Sequence, residues 1–441
     1  MEVSTVRAPA GVVKPTRVRH WVLFLLVLHY GNTYMDRVAI AAAAPWIRTE
    51  FGMDAITLGV VFSAFSISYA LFQVPGGWLA DRFGPRRILT VIVCYWSVFT
   101  MLTAAAWSAT SLIVIRFLFG SGEAGAFPAA TRAFSRWLPS TERGFAQGIT
   151  HSGARLAGAL TPALVAAMML AWGWRSAFVV FGLMGFVWGA AWYWYYRDRP
   201  EDHQGVNEAE LAVIHERNGD AAAARAQGGH AAPAAATEGV PWRILLRSRN
   251  MWMICLMYFC YVYTFWIFLS WMPSYLVESR GFGLLAGGVF AGLPLLAGAV
   301  TNTLGGWVSD RLSASRGLRF GRRSTAIAGF IVGVAFIVPG VLTANPYVAV
   351  ACLTLAAAGL EFTTGVSWAV AIDVGHEYAG TVSAMMNMFG NLGGALSPLV
   401  FGMLVQWTGR WELPFLIASA LCVVAALTWL KIDPERSVLT A

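Results

Sequence analysis

The sequence predicts an all-α integral membrane protein with twelve transmembrane helices in two parallel six-helix halves. Three observations carry that expectation. The 441 residues are 57% hydrophobic and 12% charged, with a mean hydropathy of +0.60, whereas soluble chains carry about 25% charged residues. Twelve apolar runs of about 20 residues or more, the length that spans a bilayer, can be marked off. Two motifs also recur. Gly76-Gly-Trp-Leu-Ala-Asp-Arg82 returns as Gly305-Gly-Trp-Val-Ser-Asp-Arg311, and Leu156-Ala-Gly-Ala-Leu-Thr-Pro162 returns as Leu392-Gly-Gly-Ala-Leu-Ser-Pro398. Two parallel repeats with a site between them make a transporter plan.

In chain order the first six spans are expected at 21–45, 56–80, 88–108, 111–134, 145–171 and 174–196. The last six are expected at 250–277, 284–308, 324–343, 346–372, 380–406 and 411–431. Trp and Tyr gather near several ends, as in Trp192-Tyr-Trp-Tyr-Tyr196, where amphipathic rings suit the headgroup region. The spans divide the chain into an N-terminal half at 1–196, a linker at 197–248 and a C-terminal half at 249–441. The linker is polar and then Ala-rich; Glu208–Arg217 reads as a short surface helix and the remainder as a tether.

The basic residues test the count. With a cytoplasmic N-terminus, 24 of the 31 Lys and Arg fall on the cytoplasmic side and four (Arg48, Arg175, Arg280, Arg410) on the other. Three, Arg37, Arg116 and Arg155, fall inside helices. This positive-inside bias places both termini in the cytoplasm of a multi-pass inner-membrane protein. It also accounts for the net charge of +8 without a nucleic-acid partner. Residues 1–20 are polar and the first apolar run is long enough to span, so no cleavable signal is expected. The five cysteines lie in apolar runs without metal-like spacing and read as small buried hydrophobes. No metal and no cofactor is expected.

A charge inside a membrane helix costs at least a few kcal/mol, so the intramembrane charges are the candidate site. In Arg116-Phe-Leu-Phe-Gly-Ser-Gly-Glu-Ala-Gly-Ala-Phe-Pro128, Arg116, Gly120, Glu123 and Phe127 fall on one helix face. On helix 1, Tyr30, Tyr34 and Arg37 form one stripe and His29, Asn32, Thr33 and Asp36 the adjacent one. An arginine fork suits a carboxylate. Asp36 and Glu123 are under opposing pressures: burial favours the neutral acid and a nearby arginine favours the anion. A proton-coupling site needs that competition. Gln147, His151 and Arg155 share a face of helix 5. Arg155 reads either as a second cationic anchor, suiting a dicarboxylate or larger acid, or as a structural partner for Glu123 or Glu361. Glu361 reads as a pairing acid, and His29 as a packed or interface histidine rather than a relay.

Gly77-x-x-x-Asp81-Arg82-x-Gly84-x-Arg86-Arg87 is similar to the motif between helices 2 and 3 of the major facilitator superfamily. In the second copy a basic insertion separates Asp310-Arg311 from Gly321-Arg322-Arg323. The resemblance implies a gating latch at Asp81, Arg82, Arg86, Asp310 and Arg311 that breaks as the halves rock; a charge cluster setting topology is compatible with it. Within the superfamily the chain resembles the anion:cation symporter branch, which includes bacterial sugar-acid permeases, aromatic-acid permeases, and the sialin and vesicular glutamate carriers. Tyr34-Met-Asp36-Arg37, Tyr69-x-x-x-Gln73-x-Pro75-Gly-Gly77 and the 116–128 stretch carry the resemblance. Trp368-Ala-x-x-x-Asp373 and Asn387-x-x-Gly-Asn391-x-Gly-Gly394 add to it.

The resemblance implies that Tyr34, Arg37, Tyr69, Trp368 and Asn387 bind an anion. It also implies that Asp36 and Glu123 take up protons, with Arg116 partnering Glu123. The expected function is proton-coupled import of an organic anion by a monomeric alternating-access transporter, with a sugar acid such as a hexonate, hexuronate or aldarate favoured. An organic-anion exchanger or exporter, or an aromatic carboxylate importer, is the alternative on the same fold. A membrane enzyme is disfavoured because the helices carry no nucleophile motif or metal-ligand spacing, and a sensor because no sizeable soluble domain is appended.

Overall fold

The computed structural model describes residues 14–138, 143–214, 242–375 and 379–438, apart from some side chains inside helices, those of Asp81 and Gln147 among them. The first half comprises α1 (Val18–Glu50), α2 (Ala55–Phe83), α3 (Pro85–Ala104), α4 (Ala109–Glu123), α5 (Ala126–Trp137), α6 (Arg143–Trp172) and α7 (Trp174–Tyr195). The second comprises α8 (Arg249–Ser270), α9 (Leu284–Arg316), α10 (Leu318–Leu342), α11 (Pro346–Phe362), α12 (Thr364–Gly375), α13 (Ala379–Thr408) and α14 (Glu412–Lys431). α4 with α5, and α11 with α12, each make one broken span, so each half crosses the membrane six times. Among the described residues, eleven spans are long and apolar enough to cross a bilayer by length and composition alone. α1 falls short because His29, Asn32, Asp36 and Arg37 interrupt its centre.

Local chemistry fixes the ends. Ser108 and Ser111 cap the start of α4 reciprocally, each hydroxyl accepting from the other's backbone N–H at 3.1 and 3.0 Å. Asn345 accepts from the N–H groups of Tyr347 and Val348 ahead of α11, and Pro346 fills the first helical position. The basic insertion of the second repeat is not a loop. α9 continues through Asp310-Arg311 to Arg316 and turns at Gly317, whose φ of 90° suits a residue without Cβ, and Gly321–Arg323 lie in the first turns of α10. The extra residues lengthen two helices.

The halves meet along α2 against α13 and α6 against α9. They close tightest at the end carrying the 51–54 turn, called here the loop end. A Cβ on Gly292 would overlap the Ala159 carbonyl, and one on Gly402 the Ala55 carbonyl, so glycine lets the backbones touch. Gln406 accepts from the Ala55 N–H at 3.2 Å, and the Ser63 hydroxyl donates to the Ala395 carbonyl at 2.7 Å. Arg48 forms an ion pair with Glu278 across the same end. Toward the termini, Gly148 of α6 faces open space.

The linker does not begin as a free tether. Residues 208–214 are helical, the described part of the expected 208–217 helix, and Glu210 is buried. Its carboxylate accepts from the N–H groups of Val18 and Arg19 at 3.2 and 3.1 Å and meets the Arg19 guanidinium at 3.3 Å. The first N–H groups of a helix have no partner within it, and its dipole favours an anion there. Asn207 ties in Lys14 and Thr16 alongside. The Ala-rich remainder lies outside the described residues. Of the cysteines, Cys255, Cys260 and Cys422 are buried as expected, whereas Cys94 and Cys352 are half-buried.

Candidate functional site

Each broken span ends its first piece at a glutamate. α4 stops at Glu123, and α11 stops one residue past Glu361. The two glutamates are 238 positions apart, close to the offset of 236 between Leu156 and Leu392 in the repeat. Both halves therefore put a carboxylate at the same place, mid-span and at a helix C-terminus, where free carbonyls oppose negative charge. An arginine meets each one. Arg37 Nε donates to Glu123 Oε1 at 2.6 Å. Arg155, reaching across from the first half, approaches Glu361 to 3.0 Å. Glu123 is 0% and Glu361 2% exposed, so removing either arginine would leave a buried charge, a loss of about 3–5 kcal/mol.

Tyr34 lies against both arginines. The guanidinium carbons of Arg37 and Arg155 lie 5.6 and 5.1 Å from its ring centroid, so they are no further apart than those distances together. Arg155 also donates to the Tyr34 hydroxyl. Arg37 sits over Tyr69 at 4.8 Å and Arg155 over Phe265 at 4.8 Å; ring faces stabilise both cations away from water. In the second half the Tyr261 hydroxyl donates to Glu361 at 3.3 Å and accepts from Thr364 at 2.7 Å. Trp368 Nε1 donates to the Tyr258 hydroxyl at 3.1 Å.

The sequence profile of the Major Facilitator Superfamily matches residues 22–398 and, in a second match, 315–441. The chain belongs to that superfamily. A probable sulfoacetate transporter of Cupriavidus necator is 44% identical over 423 residues, covering 96% of this chain and 95% of that protein. A probable galactarate/D-glucarate transporter of Bacillus subtilis is 34% identical over 96% of this chain and 93% of its own. A hexuronate transporter of the same organism is 30% identical over 93% of each. Among solved structures, a bacterial homologue of the human lysosomal transporter Spinster, inward-facing and unoccupied, superposes with a TM-score of 0.75. That match spans 95% of this chain and 97% of the other at 18% identity, a likeness of fold. The facilitator is a transporter, not an enzyme.

Other expected site residues in this facilitator are placed differently from one another. Among the described residues Arg116 makes no direct hydrogen bond or ion pair with Glu123 and acts on it only at longer range. Seven residues climb about 10 Å along a helix, so a shared face still leaves the two at different heights, and Arg37 enters from α1 at the level of the carboxylate. Arg116 lies instead over the rings of Phe65 and Phe119 at 5.0 and 4.6 Å, with its Nε unpartnered among the described residues. Asp36 is buried beside Trp96 and Thr100 of α3, with no well-aligned hydrogen bond to either carboxylate oxygen among the described residues. His29 packs between Trp96 and Trp188, 5.4 and 4.7 Å between ring centres. Tyr69 is buried, Trp368 is exposed and Asn387 is half-buried on α13. His151 packs on Tyr30 at 5.4 Å.

The gating residues also regroup. Arg86 donates to the Tyr193 carbonyl at 2.8 Å and Arg82 lies over the Phe83 ring at 5.5 Å; the Asp81 and Gln147 side chains fall outside the described residues. In the second copy Asp310 pairs with Arg322 at 2.6 Å rather than with Arg311, which lies over Trp307 at 5.4 Å. Arg322 also meets Asp373 at 2.9 Å. This triad ties α9, α10 and α12 within one half. Tyr258, Tyr261 and Phe265 were not singled out by the sequence because α8 is aromatic along most of its length. Among the described residues no group of His, Cys, Asp and Glu is arranged to hold a metal.

Proposed function

We propose that this facilitator imports a small organic anion together with protons by alternating access. In this reading residues 1–196 and 249–441 are its moving halves, 197–248 is a cytoplasmic linker, and the monomer sits in the inner membrane with both termini cytoplasmic. The Arg37–Glu123 pair carries the reading. A proton on Glu123 frees Arg37 to take an acidic group of the substrate. When that group leaves, Glu123 gives up the proton and pairs with Arg37 again. The site thus keeps the same net charge at every stage, as a desolvated cavity requires, and anion and proton travel together. Tyr34 and Tyr69, against the Arg37 fork, orient the substrate, and buried Asp36 is a further proton acceptor.

The relatives' named substrates, sulfoacetate, galactarate or D-glucarate, and hexuronate, all join a carboxylate to another hydrophilic group. They support a sugar acid or a short sulfonated acid over an aromatic carboxylate. The arginine bias supports a cytoplasmic position for the termini, which would make the clamped loop end the outer face.

Reconstituted protein carrying Glu123→Gln provides the test. It is expected to lose anion accumulation driven by a proton gradient while still exchanging anion for anion, because Gln resembles the neutral acid but releases no proton. Accumulation against a gradient by Glu123→Gln would reduce Glu123 to a structural role.

A further inference from the structure

We propose that Glu361 is a second proton-linked carboxylate and that, with Arg155, it forms a subsite for a second acidic group on the substrate. A dianion then crosses with one more proton than a monoanion of the same shape. The inference rests on the organic-anion reading above and extends it to substrate charge and proton count.

Four observations lead there. Glu361 holds in the second half the place that Glu123 holds in the first, at the C-terminal end of the leading piece of a broken span. Its cation comes from the opposite half, since Arg155 is on α6 and Glu361 on α11. The carboxylate has a built surrounding: the Tyr261 hydroxyl donates to one oxygen, Arg155 Nε and Nη2 approach the other at 3.4 and 3.2 Å, and Gly298 of α9 leaves it room. A Cβ on Gly298 would stand 2.7 Å from Glu361 Cγ. Finally, Arg155 and Arg37 face the same Tyr34 ring, so two acidic groups of one small molecule can reach both forks.

Charge conservation then dictates the exchange. Arg155 and Glu361 are both buried, and neither can be left charged alone without a large cost. If the second acidic group of a substrate takes Arg155, Glu361 must bind a proton. When the substrate leaves, Glu361 releases that proton and re-forms the ion pair. Tyr34 of α1 and Tyr258 and Tyr261 of α8 are the titratable groups facing the Arg155–Glu361 pair, and Gly298 of α9 packs against it. Among the described residues Glu361 is the carboxylate that meets Arg155. The pair also bridges the two halves, so it must part or be replaced as they rock, and a dianion supplies the replacement.

Proteoliposomes holding the full-length protein test this with two substrate pairs that differ in one charge: D-glucarate with D-gluconate, and sulfoacetate with methylsulfonylacetate. Protons per anion are read from the anion gradient that just balances an imposed pH gradient with the membrane potential clamped at zero. In the wild type the dianion of each transported pair is expected to carry one more proton. In Glu361→Gln that difference should vanish, and dianion transport should become dependent on membrane potential by one additional charge. The double variant Arg155→Gln/Glu361→Gln, which strands no charge, should lose discrimination for dianion over monoanion by on the order of tenfold or more. Equal proton counts within a transported pair in the wild type, or an extra proton that persists in Glu361→Gln, overturns the subsite alone. Transport of none of the four anions overturns it together with the organic-anion reading.

Discussion

At the scale of single residues, Arg155 pairs with Glu361, as one of the two sequence readings expected, and lies beside Tyr34; on the proposal above it would also hold a ligand's second acidic group. Arg155→Gln is therefore expected to lower the melting temperature of the empty protein, because it strands Glu361, and to weaken a dianion about tenfold to 150-fold. A monocarboxylate should weaken much less. Adding Glu361→Gln should recover most of the lost melting temperature; a thermal-shift series on the single and double variants reads this directly. Arg37, Arg155, Asp36, Glu123 and Glu361 were legible in the sequence because a charge among apolar neighbours stands out. Their pairing was not. A helical face gives direction but not height, so it did not reveal that Arg37, from another helix, makes the direct ion pair with Glu123.

At the scale of elements, ends and breaks matter more than lengths. The sequence located most spans to within a few residues, although α9 runs to Arg316 where 308 was expected and α10 begins at Leu318 where 324 was expected. It missed the interruptions after Glu123 and Phe362, because no polar run marks either break. It also read 312–320 as a basic loop when Gly317 alone makes the turn; charge suggested solvent, and solvent is equally open to a helix end. Capping at the loop end is testable outside the membrane. Asp54 caps α2 by accepting from the Thr57 N–H at 2.7 Å, and hydrogen bonds from Thr57 hold its carboxyl below the usual carboxylate range. A carboxyl lowered on folding stabilises the protein above its unfolded value, and that contribution is lost as pH falls through its folded one. Asp54→Asn should flatten this part of the acid dependence of the melting temperature. Ser108→Ala, which opens the reciprocal cap of α4, should cost about 1 kcal/mol in a denaturation measured in detergent.

At the scale of the whole molecule, the proposed alternating access would have to undo the clamp at the loop end. Cysteines at Ser63 and Ala395, whose hydroxyl and carbonyl are joined across the halves, should accept a short reducible cross-linker and stop transport until it is cleaved. Undiminished transport by the linked protein would rule out rocking about this contact. Cysteines placed at 220 and 230 are expected to react with impermeant reagents only from the cytoplasmic side. Twelve spans and their repeat were plain in the sequence, since length and motif spacing survive any motion. Which end is shut was not, because one repeat serves every stage of the cycle.

The clasp at Glu210 bears on how the chain is made. α1 leaves the ribosome first, yet the carboxylate that closes its N-terminus arrives 192 residues later. Until then its leading N–H groups have only water or lipid headgroups as partners, even after all six spans of that half are in the bilayer. A gene split for co-expression would strand those groups if the first fragment ended at 196, whereas a fragment running past Ile214 carries its own closure. The natural seam of the protein thus lies inside the linker rather than at the membrane surface.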